Sequence, residues 1–194
     1  GTRVFASCRK LFKVTMPGVE FIGKESFALC ENLKEIALPE TLRQISAGAF
    51  ASCKAMEEIN IPSHMKIVDM SAFRNTGLKN LYIRISDDCE CRIYDRAFAY
   101  CKHLESIYLN KNVKIMERMA FASCTSLKTI EFEQPSLTCC AGEINATTLI
   151  GCTSLEKIIV PKNKYNHYPD FNIQGYESAQ FETRDFNSLI TPKE

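Results

Sequence analysis

The chain has 194 residues, of which 45% are hydrophobic, and its 24 basic and 23 acidic side chains leave a net charge of +1. This balance argues against a nucleic-acid partner, which requires a basic stripe. The sequence contains no run of 18 apolar residues, so we expect no insertion into a membrane. The hydrophobic content is ample for a core, and one elongated domain is the simplest organisation.

A repeat of about 23 residues runs through the chain. Each repeat, here called a coil, begins at an apolar anchor, and the anchors are spaced by 22, 23, 23, 25, 23 and 28 residues. Self-similarity at such a period is typical of a solenoid, in which each coil buries its apolar face against its neighbours. The anchors of coils 1 to 7 are Phe5, Phe27, Phe50, Phe73, Phe98, Phe121 and Leu149.

The first element predicted in each coil is a short β-strand. A Leu or Met six residues after the typical anchor leads into two apolar positions that alternate with polar ones, and this alternation indicates a strand. In four coils a proline follows and ends the strand, because proline has no N–H for a ladder. The predicted strand centres are Val14, Ile36, Ile59, Leu81, Ile107, Ile130 and Ile158.

The rest of each coil is predicted to be a turn, a short extended piece and a helical turn. The extended piece carries two apolar residues three apart, such as Leu42 and Ile45. Segments such as SAGAFASC are too short for a stable α-helix, so we expect one helical or 3₁₀ turn whose Phe fills the core. The predicted fold is an α/β, right-handed solenoid with one parallel strand per coil and helical turns opposite.

The run LPETLRQISAGAFASC at residues 38–53 and its copies resemble the BspA-like leucine-rich repeats of cell-surface proteins. The resemblance extends from residue 2 to about residue 165. It is specific, because general leucine-rich repeats lack the Ala-Phe-x-x-Cys element. The sequence departs from the pattern at Thr76 in the cysteine position and at Arg84, Asn110 and Glu133 in the proline position, where we expect looser turns.

Ten cysteines fall into two groups. Six follow the repeat, and we interpret them as a ladder of buried, reduced thiols beside the Phe anchors. The other four lie in coils with insertions and are interpreted as loop thiols that react before the ladder does; a disulfide among them in an oxidising compartment is the alternative. Their spacing does not fit a C-x-x-C metal site, so no metal is predicted. The four are Cys89, Cys91, Cys139 and Cys140.

No catalytic pattern stands out. The chain has neither a G-x-G-x-x-G phosphate loop nor a G-x-S-x-G nucleophile elbow, and the ladder thiols should be buried. We therefore predict no enzyme activity and no cofactor. Asn145-Ala-Thr147 is a glycosylation sequon, which matters only in a eukaryotic secretory host.

Within this elongated domain two parts are predicted, a repeat solenoid over residues 1–161 and a capping segment over residues 162–194. The second segment is polar and aromatic, and we expect it to cover the open edge of the last coil; a separate binding segment is the alternative. Because no strand precedes the F-A-S-C of residues 5–8, we also expect a signal segment or further repeats before Gly1 in the natural protein.

A candidate binding site lies on the outward face of the predicted strands. Tyr82 and Tyr108 occupy equivalent outward positions on adjacent coils and should stand side by side. Exposed paired tyrosines are enriched at interfaces, whereas the alternative is a cross-strand pair that only stabilises the sheet. The predicted site is centred on this pair and also includes Asn60, Asn80, Arg84, Ser106 and Glu131.

The resemblance implies an adhesion-type role, since members of this family attach bacteria to host matrix proteins and to other bacteria. We therefore expect a monomeric, non-catalytic binding module on the cell surface or in a secreted protein. Its partners would be proteins or glycans of the host or of neighbouring cells. The alternative is a structural spacer or intracellular scaffold without a ligand of its own.

Overall fold

The computed structural model describes residues 1–133, 147–161 and 180–184. Every paired strand in these residues runs parallel to its neighbours. The strands on the face predicted from the sequence are β1 (Lys13–Thr15), β3 (Glu35–Ala37), β6 (Asn80–Ile83), β8 (Ser106–Leu109), β10 (Thr129–Phe132), β11 (Lys157–Pro161) and β12 (Gln180–Arg184). Those on the opposite side of the coils are β2 (Phe21–Ile22), β4 (Gln44–Ile45), β5 (Ile67–Val68), β7 (Cys91–Ile93) and β9 (Val113–Met116).

The predicted strands stack with equivalent residues in register. Leu81 pairs with Ile107, Ile107 with Ile130, and Ile130 with Ile158, and all four side chains are buried. These strands form a five-stranded sheet in the order β12-β11-β10-β8-β6, while β1 and β3 form a separate pair. The parallel solenoid is therefore confirmed, and its right-handed winding stays a prediction.

The sheet is interrupted at coil 3, where the predicted strand at Ile59 is wrong. Residues 57–62 have no strand, although Ile59 itself is buried. The connection from the anchor to the apolar residue before the strand position is one residue shorter in coil 4, from Phe73 to Leu78, than in coil 3, from Phe50 to Met56. At this junction Gly77 packs so closely on coil 3 that a Cβ atom would lie 2.1 Å from the carbonyl oxygen of Lys54. Coil 4 thus meets coil 3 closely at Gly77, whereas residues 58–61 make no backbone hydrogen bond to described residues of either neighbouring coil.

A second parallel sheet corrects the prediction of one strand per coil. The piece predicted to be merely extended forms β2, β4, β5, β7 and β9, which pair in that order without a break. Its inward residues are buried because they close the core opposite the first face. These residues are Ile22, Ile45, Val68, Ile93 and Met116.

The predicted helical turns are also wrong, since the described residues contain no helix. The turn around Phe27 has positive φ at Glu25 and Leu29, and the same two positions are left-handed in the turns around the other five Phe anchors. Left-handed residues interrupt a right-handed helix. The N–H of Phe27 donates to the carbonyl of Ala49, in the turn around the next anchor, at 2.8 Å. These turns therefore join neighbouring coils instead of closing helical hydrogen bonds.

The anchors form one continuous aromatic stack. Successive rings from Phe5 to Phe121 lie with centroids between 5.1 and 5.4 Å apart and with planes within 15° of each other. Leu149 is buried at the following position. Parallel offset rings at this spacing add aromatic attraction to the area that each ring buries. The stack therefore stabilises every junction between coils 1 and 6.

A ladder of thiols runs beside the stack, as predicted. Each buried Sγ donates to the carbonyl oxygen of the anchor one coil earlier, at 3.1 Å from Cys30 to Phe5 and 3.2 Å from Cys53 to Phe27. Cys101, Cys124 and Cys152 repeat the contact at 3.1 to 3.3 Å. Cys8, at the edge of coil 1, is exposed. The prediction of buried, reduced thiols is therefore confirmed for Cys30, Cys53, Cys101 and Cys124.

Two of the four additional cysteines lie in the described residues, and both are buried, although Cys89 is in the loop before β7. Cys91 lies in β7 and is fully buried, and Cys89 is 8% exposed. The expectation that these thiols react first is wrong, because the insertion of coil 4 turns both of them into the core. Cys139, Cys140 and the sequon at Asn145 lie outside the described residues.

The carboxyl-terminal segment contributes at least one strand. β12 pairs in parallel with β11, and Ile158 lies in register with Phe181. The sheet therefore continues beyond coil 7. The boundary at residue 161 and the capping role of residues 162–194 stay predictions, and most of that segment lies outside the described residues.

A candidate binding surface around two stacked tyrosines

Tyr82 and Tyr108 stand side by side on β6 and β8. They are register partners, their ring centroids lie 4.3 Å apart, and their planes differ by 10°. Tyr82 is 55% exposed, which is unusual for a large aromatic side chain. The repeat thus creates a flat aromatic surface that faces solvent on a rigid sheet.

The Tyr108 hydroxyl is held between opposite charges. It donates to Oε1 of Glu133, and Nη2 of Arg84 donates to it at 3.5 Å. Burial and then the bond to Glu133 raise the pKa of Tyr108 above its usual value, and the bond to Tyr108 raises the pKa of Arg84. Tyr108 is therefore fixed in a protonated state and forms a firm support for the Tyr82 ring.

The structure brings most of the predicted site residues to this surface. Oγ of Ser106 donates to Oδ1 of Asn80 at 2.7 Å, across β8 and β6. Glu131 is the register partner of Tyr108 on the other side. Its carboxylate forms an ion pair of 2.7 Å with Arg184, so the charge of Glu131 is already neutralised. The surface is consequently polar but carries little free charge beside the two rings.

Asn60 is separated from the other predicted site residues by the interruption at coil 3. It lies in the stretch without a strand and is exposed. A trough of about 300 Å³ extends from Asn60 across the outward positions of coils 1 and 2. Its lining includes the small side chains Thr15 and Ala37, which occupy the position that Tyr82 occupies in coil 4. The trough therefore reaches the coil next to the tyrosine pair.

Sequence reasoning missed two residues of the surface. Glu133 occupies the proline position of coil 6, and its neighbouring-coil contact with Tyr108 could have been found from the repeat register. Its second carboxylate oxygen also accepts from the N–H of Lys111 at 3.2 Å. Arg184 lies 53 residues from Glu131 and outside the repeat, so no sequence signal identifies it.

One cluster on another part of the surface has the residue types of a hydrolase. Oγ of Ser63 lies 3.0 Å from Nδ1 of His64, and Nε2 of that ring lies 3.7 Å from Asp88. The side chains of His64 and Asp88 are 43% and 75% exposed. A catalytic triad requires a buried carboxylate that orients the imidazole. This cluster is therefore a solvated polar network.

The described residues contain no group of His, Cys, Asp and Glu side chains that could hold a metal ion. Among the same residues, no helix has the length and apolar character needed to cross a bilayer.

Stacked coils with parallel strands, a Leu or Met at the strand entry and an apolar anchor in every turn, which is Phe in six of the seven coils, define a leucine-rich repeat protein. The chain belongs to the BspA-type family of these proteins. The family described as "BspA type Leucine rich repeat region" matches six copies over residues 1–88 and 82–175.

Solved structures of bacterial leucine-rich repeat proteins are similar. The protein of T. pallidum is 25% identical with a TM-score of 0.65, over 79% of this chain and 69% of its own. A protein from Bacteroides ovatus is 21% identical with a TM-score of 0.50, over 94% and 63%. The pneumococcal vaccine antigen PcpA is 18% identical with a TM-score of 0.53, over 95% and 38%. The chain thus spans less than two thirds of the last two proteins. No curated protein matches the sequence.

Proposed function

We propose that the chain is a non-catalytic binding module of a surface or secreted protein that uses the Tyr82–Tyr108 surface to contact its partner. The observation that carries this proposal is the exposed ring of Tyr82, which stacks on Tyr108. The hydroxyl of Tyr108 is in turn held in place by Glu133 and Arg84. The partners we propose are proteins or glycans of a host or of neighbouring cells. Membership of the BspA-type family supports this role.

A rigid aromatic surface is suited to binding. Side chains that are ordered before association lose little conformational freedom when a partner arrives. A tyrosine offers apolar ring area and a hydroxyl together, which is why this residue type is enriched among binding hot spots. The polar neighbours Asn80 and Ser106 can exchange hydrogen bonds with a partner once their mutual bond opens. These features favour a partner with mixed polar and apolar surface over a strongly charged one.

The proposal is tested by a double variant, Tyr82→Ala with Tyr108→Ala. The purified protein is applied to arrays of matrix proteins, whole cells and glycans. We expect the double variant to lose binding while its unfolding midpoint falls by an amount that corresponds to roughly 0.5–2 kcal/mol. Phe21→Ala is the matched control, because Phe21 is also an exposed aromatic residue but lies on the second sheet.

Unchanged binding by the double variant would place the contact elsewhere. Loss of binding in the Phe21→Ala control as well would indicate a general effect of surface aromatics. Absence of binding by the unmodified protein on every array would favour the structural spacer.

A further inference from the structure

The tyrosine stack is open at its end next to coil 3. One face of the Tyr82 ring covers Tyr108, and the other is turned towards coil 3, where the equivalent residue is Asn60. No third ring occupies the neighbouring position in coil 3, which has no strand on this face. An asparagine side chain leaves it empty, and Tyr82 is 55% exposed as a result. A flat aromatic face is therefore available directly above coil 3.

Coil 3 places hydrogen-bonding groups beside that face. In the described part of the chain, the N–H and C=O groups of residues 58–61 make no backbone hydrogen bond, because the strand is interrupted here. The exposed side chains of Glu58 and Asn60 make no hydrogen bond or ion pair with described residues. Donors and acceptors of both the main chain and the side chains thus line the end of the trough.

The trough is small and electrically balanced. Its volume of about 300 Å³ is at the lower end of the range of about 300–1,000 Å³ that ligand pockets occupy. The charged residues that line it are Lys13, Lys34, Glu35 and Glu58, and Lys13 and Glu35 form an ion pair of 2.9 Å. A balanced lining does not select for charge. It therefore suits a neutral ligand that carries many hydroxyl groups.

From these observations we infer that one pyranose ring of a neutral glycan binds at the Asn60 end of the trough and packs against the exposed ring of Tyr82 on the adjacent coil. A pyranose presents apolar C–H groups on one face and hydroxyl groups around its edge. The C–H groups would pack on the ring of Tyr82, and the hydroxyl groups would pair with Glu58, Asn60 and the open backbone groups of coil 3. This inference rests on the proposed function and specifies its ligand.

The competing occupant is an arginine side chain of a partner protein, which also stacks on aromatic rings and pairs with carboxylates. The lining gives an arginine no net attraction, because the charges of Lys13 and Lys34 balance those of Glu35 and Glu58. A neutral pyranose needs no such attraction, so the charge balance favours the glycan.

The test is saturation-transfer NMR with neutral tetrasaccharides of glucose, mannose and galactose at millimolar concentration, and with an arginine-containing peptide. The variant Asn60→Tyr continues the stack and fills the slot while leaving Tyr82 and Tyr108 in place. We expect it to weaken binding of the responding sugar about tenfold or more. Gln180→Tyr is the matched control, since it adds an exposed tyrosine to the other end of the sheet. Ala37→Phe fills the same trough from coil 2 and serves if Asn60→Tyr does not fold.

Each outcome decides the inference. Sugar binding that is lost in the filled variants and kept in Gln180→Tyr supports it. No transfer to any neutral tetrasaccharide, or equal binding by the filled variants, overturns it. Binding of the peptide alone would also overturn it and would assign the trough to a protein partner. In all three adverse cases the proposed function can still stand, because the double alanine variant tests it separately on proteins and cells.

Discussion

Sγ of Cys53 donates to the carbonyl oxygen of Phe27 at 3.2 Å, so the thiol of one coil is bonded to the anchor of the previous coil. Burial raises the pKa of the Cys53 thiol to about 12. Since the thiolate is the reactive form, a buried and protonated thiol is chemically inert. The ladder thus gives two predictions, on labelling and on alkaline stability.

The first prediction is that, among the described cysteines, a thiol reagent labels the exposed one in the folded protein and spares those that are buried. Iodoacetamide applied to the folded protein should modify Cys8 rapidly, because this residue is exposed at the edge of coil 1. The buried thiols, including Cys89 and Cys91, should react only after unfolding. Peptide mass spectrometry gives the rate at each site, and denatured protein is the control. Modification of Cys91 as fast as Cys8 would contradict the packing.

The second prediction concerns stability above neutral pH. An unfolded thiol ionises near pH 9, whereas Cys53 and Cys91 keep their protons to about pH 12 because they are buried. The unfolded state therefore releases protons first, and each thiol's contribution is complete below pH 9 and lost between pH 9 and 12. The free energy of unfolding should fall by up to about 1.4 kcal/mol per pH unit for each such thiol.

Urea unfolding between pH 8 and 11 measures this slope. Cys53→Ala is expected to reduce the slope, although it lowers stability at pH 8. The interpretation fails if the two proteins lose stability in parallel as the pH rises.

The third prediction uses the left-handed turns. Ser71 has φ of 55°, a conformation that costs a non-glycine residue about 1–2 kcal/mol. Ser71→Gly should therefore raise the free energy of unfolding by roughly 0.5–1 kcal/mol after the entropy of glycine is included, and Ser71→Val should lower it. Ser46→Gly is the control, because Ser46 lies in the preceding coil without a positive φ. Thermal unfolding should give opposite signs for the two glycine variants.

The fourth prediction concerns the Tyr108 hydroxyl. Burial and the bond to Glu133 raise its pKa, so this phenol should stay protonated after exposed tyrosines have ionised. Absorbance titration at alkaline pH, compared with Tyr108→Phe, isolates its contribution. Glu133→Gln should lower the pKa because it removes the negative charge beside the hydroxyl. Glu131→Gln is the matched control, since Glu131 pairs with Arg184; an equal effect of both variants would argue against the assigned hydrogen bond.

The repeat predicted the parts of the fold that depend on identical spacing. The Phe stack, the thiols that follow it and the pairing of Tyr82 with Tyr108 all follow once coils stack in register. A residue that recurs at one position in the repeat must meet its own counterpart in the next coil. The period alone therefore determined these contacts.

Local departures from the period were not predictable in the same way. The strand at Ile59 is absent although the residue fits the repeat, because strand pairing depends on how two coils meet and not on the sequence of one coil alone. The turns around Ala-Phe resembled helical turns in sequence, yet positive φ at residues such as Leu29 directs their N–H groups to the next coil. For the candidate site, Arg184 approaches from outside the repeat, so its pairing with Glu131 could only be seen in three dimensions.

The interruption between β3 and β6 has a mechanical consequence. On that face no strand pairing joins coils 1 and 2 to the coils that follow, whereas the second sheet and the Phe stack continue without a break. A solenoid whose hydrogen-bonded sheet is continuous on one side and interrupted on the other resists bending least at the interruption. In a repeat protein, whose coils interact mainly with their neighbours, we therefore expect the solenoid to bend most readily at coil 3. Bending there widens or narrows the space between Ala37 and Tyr82.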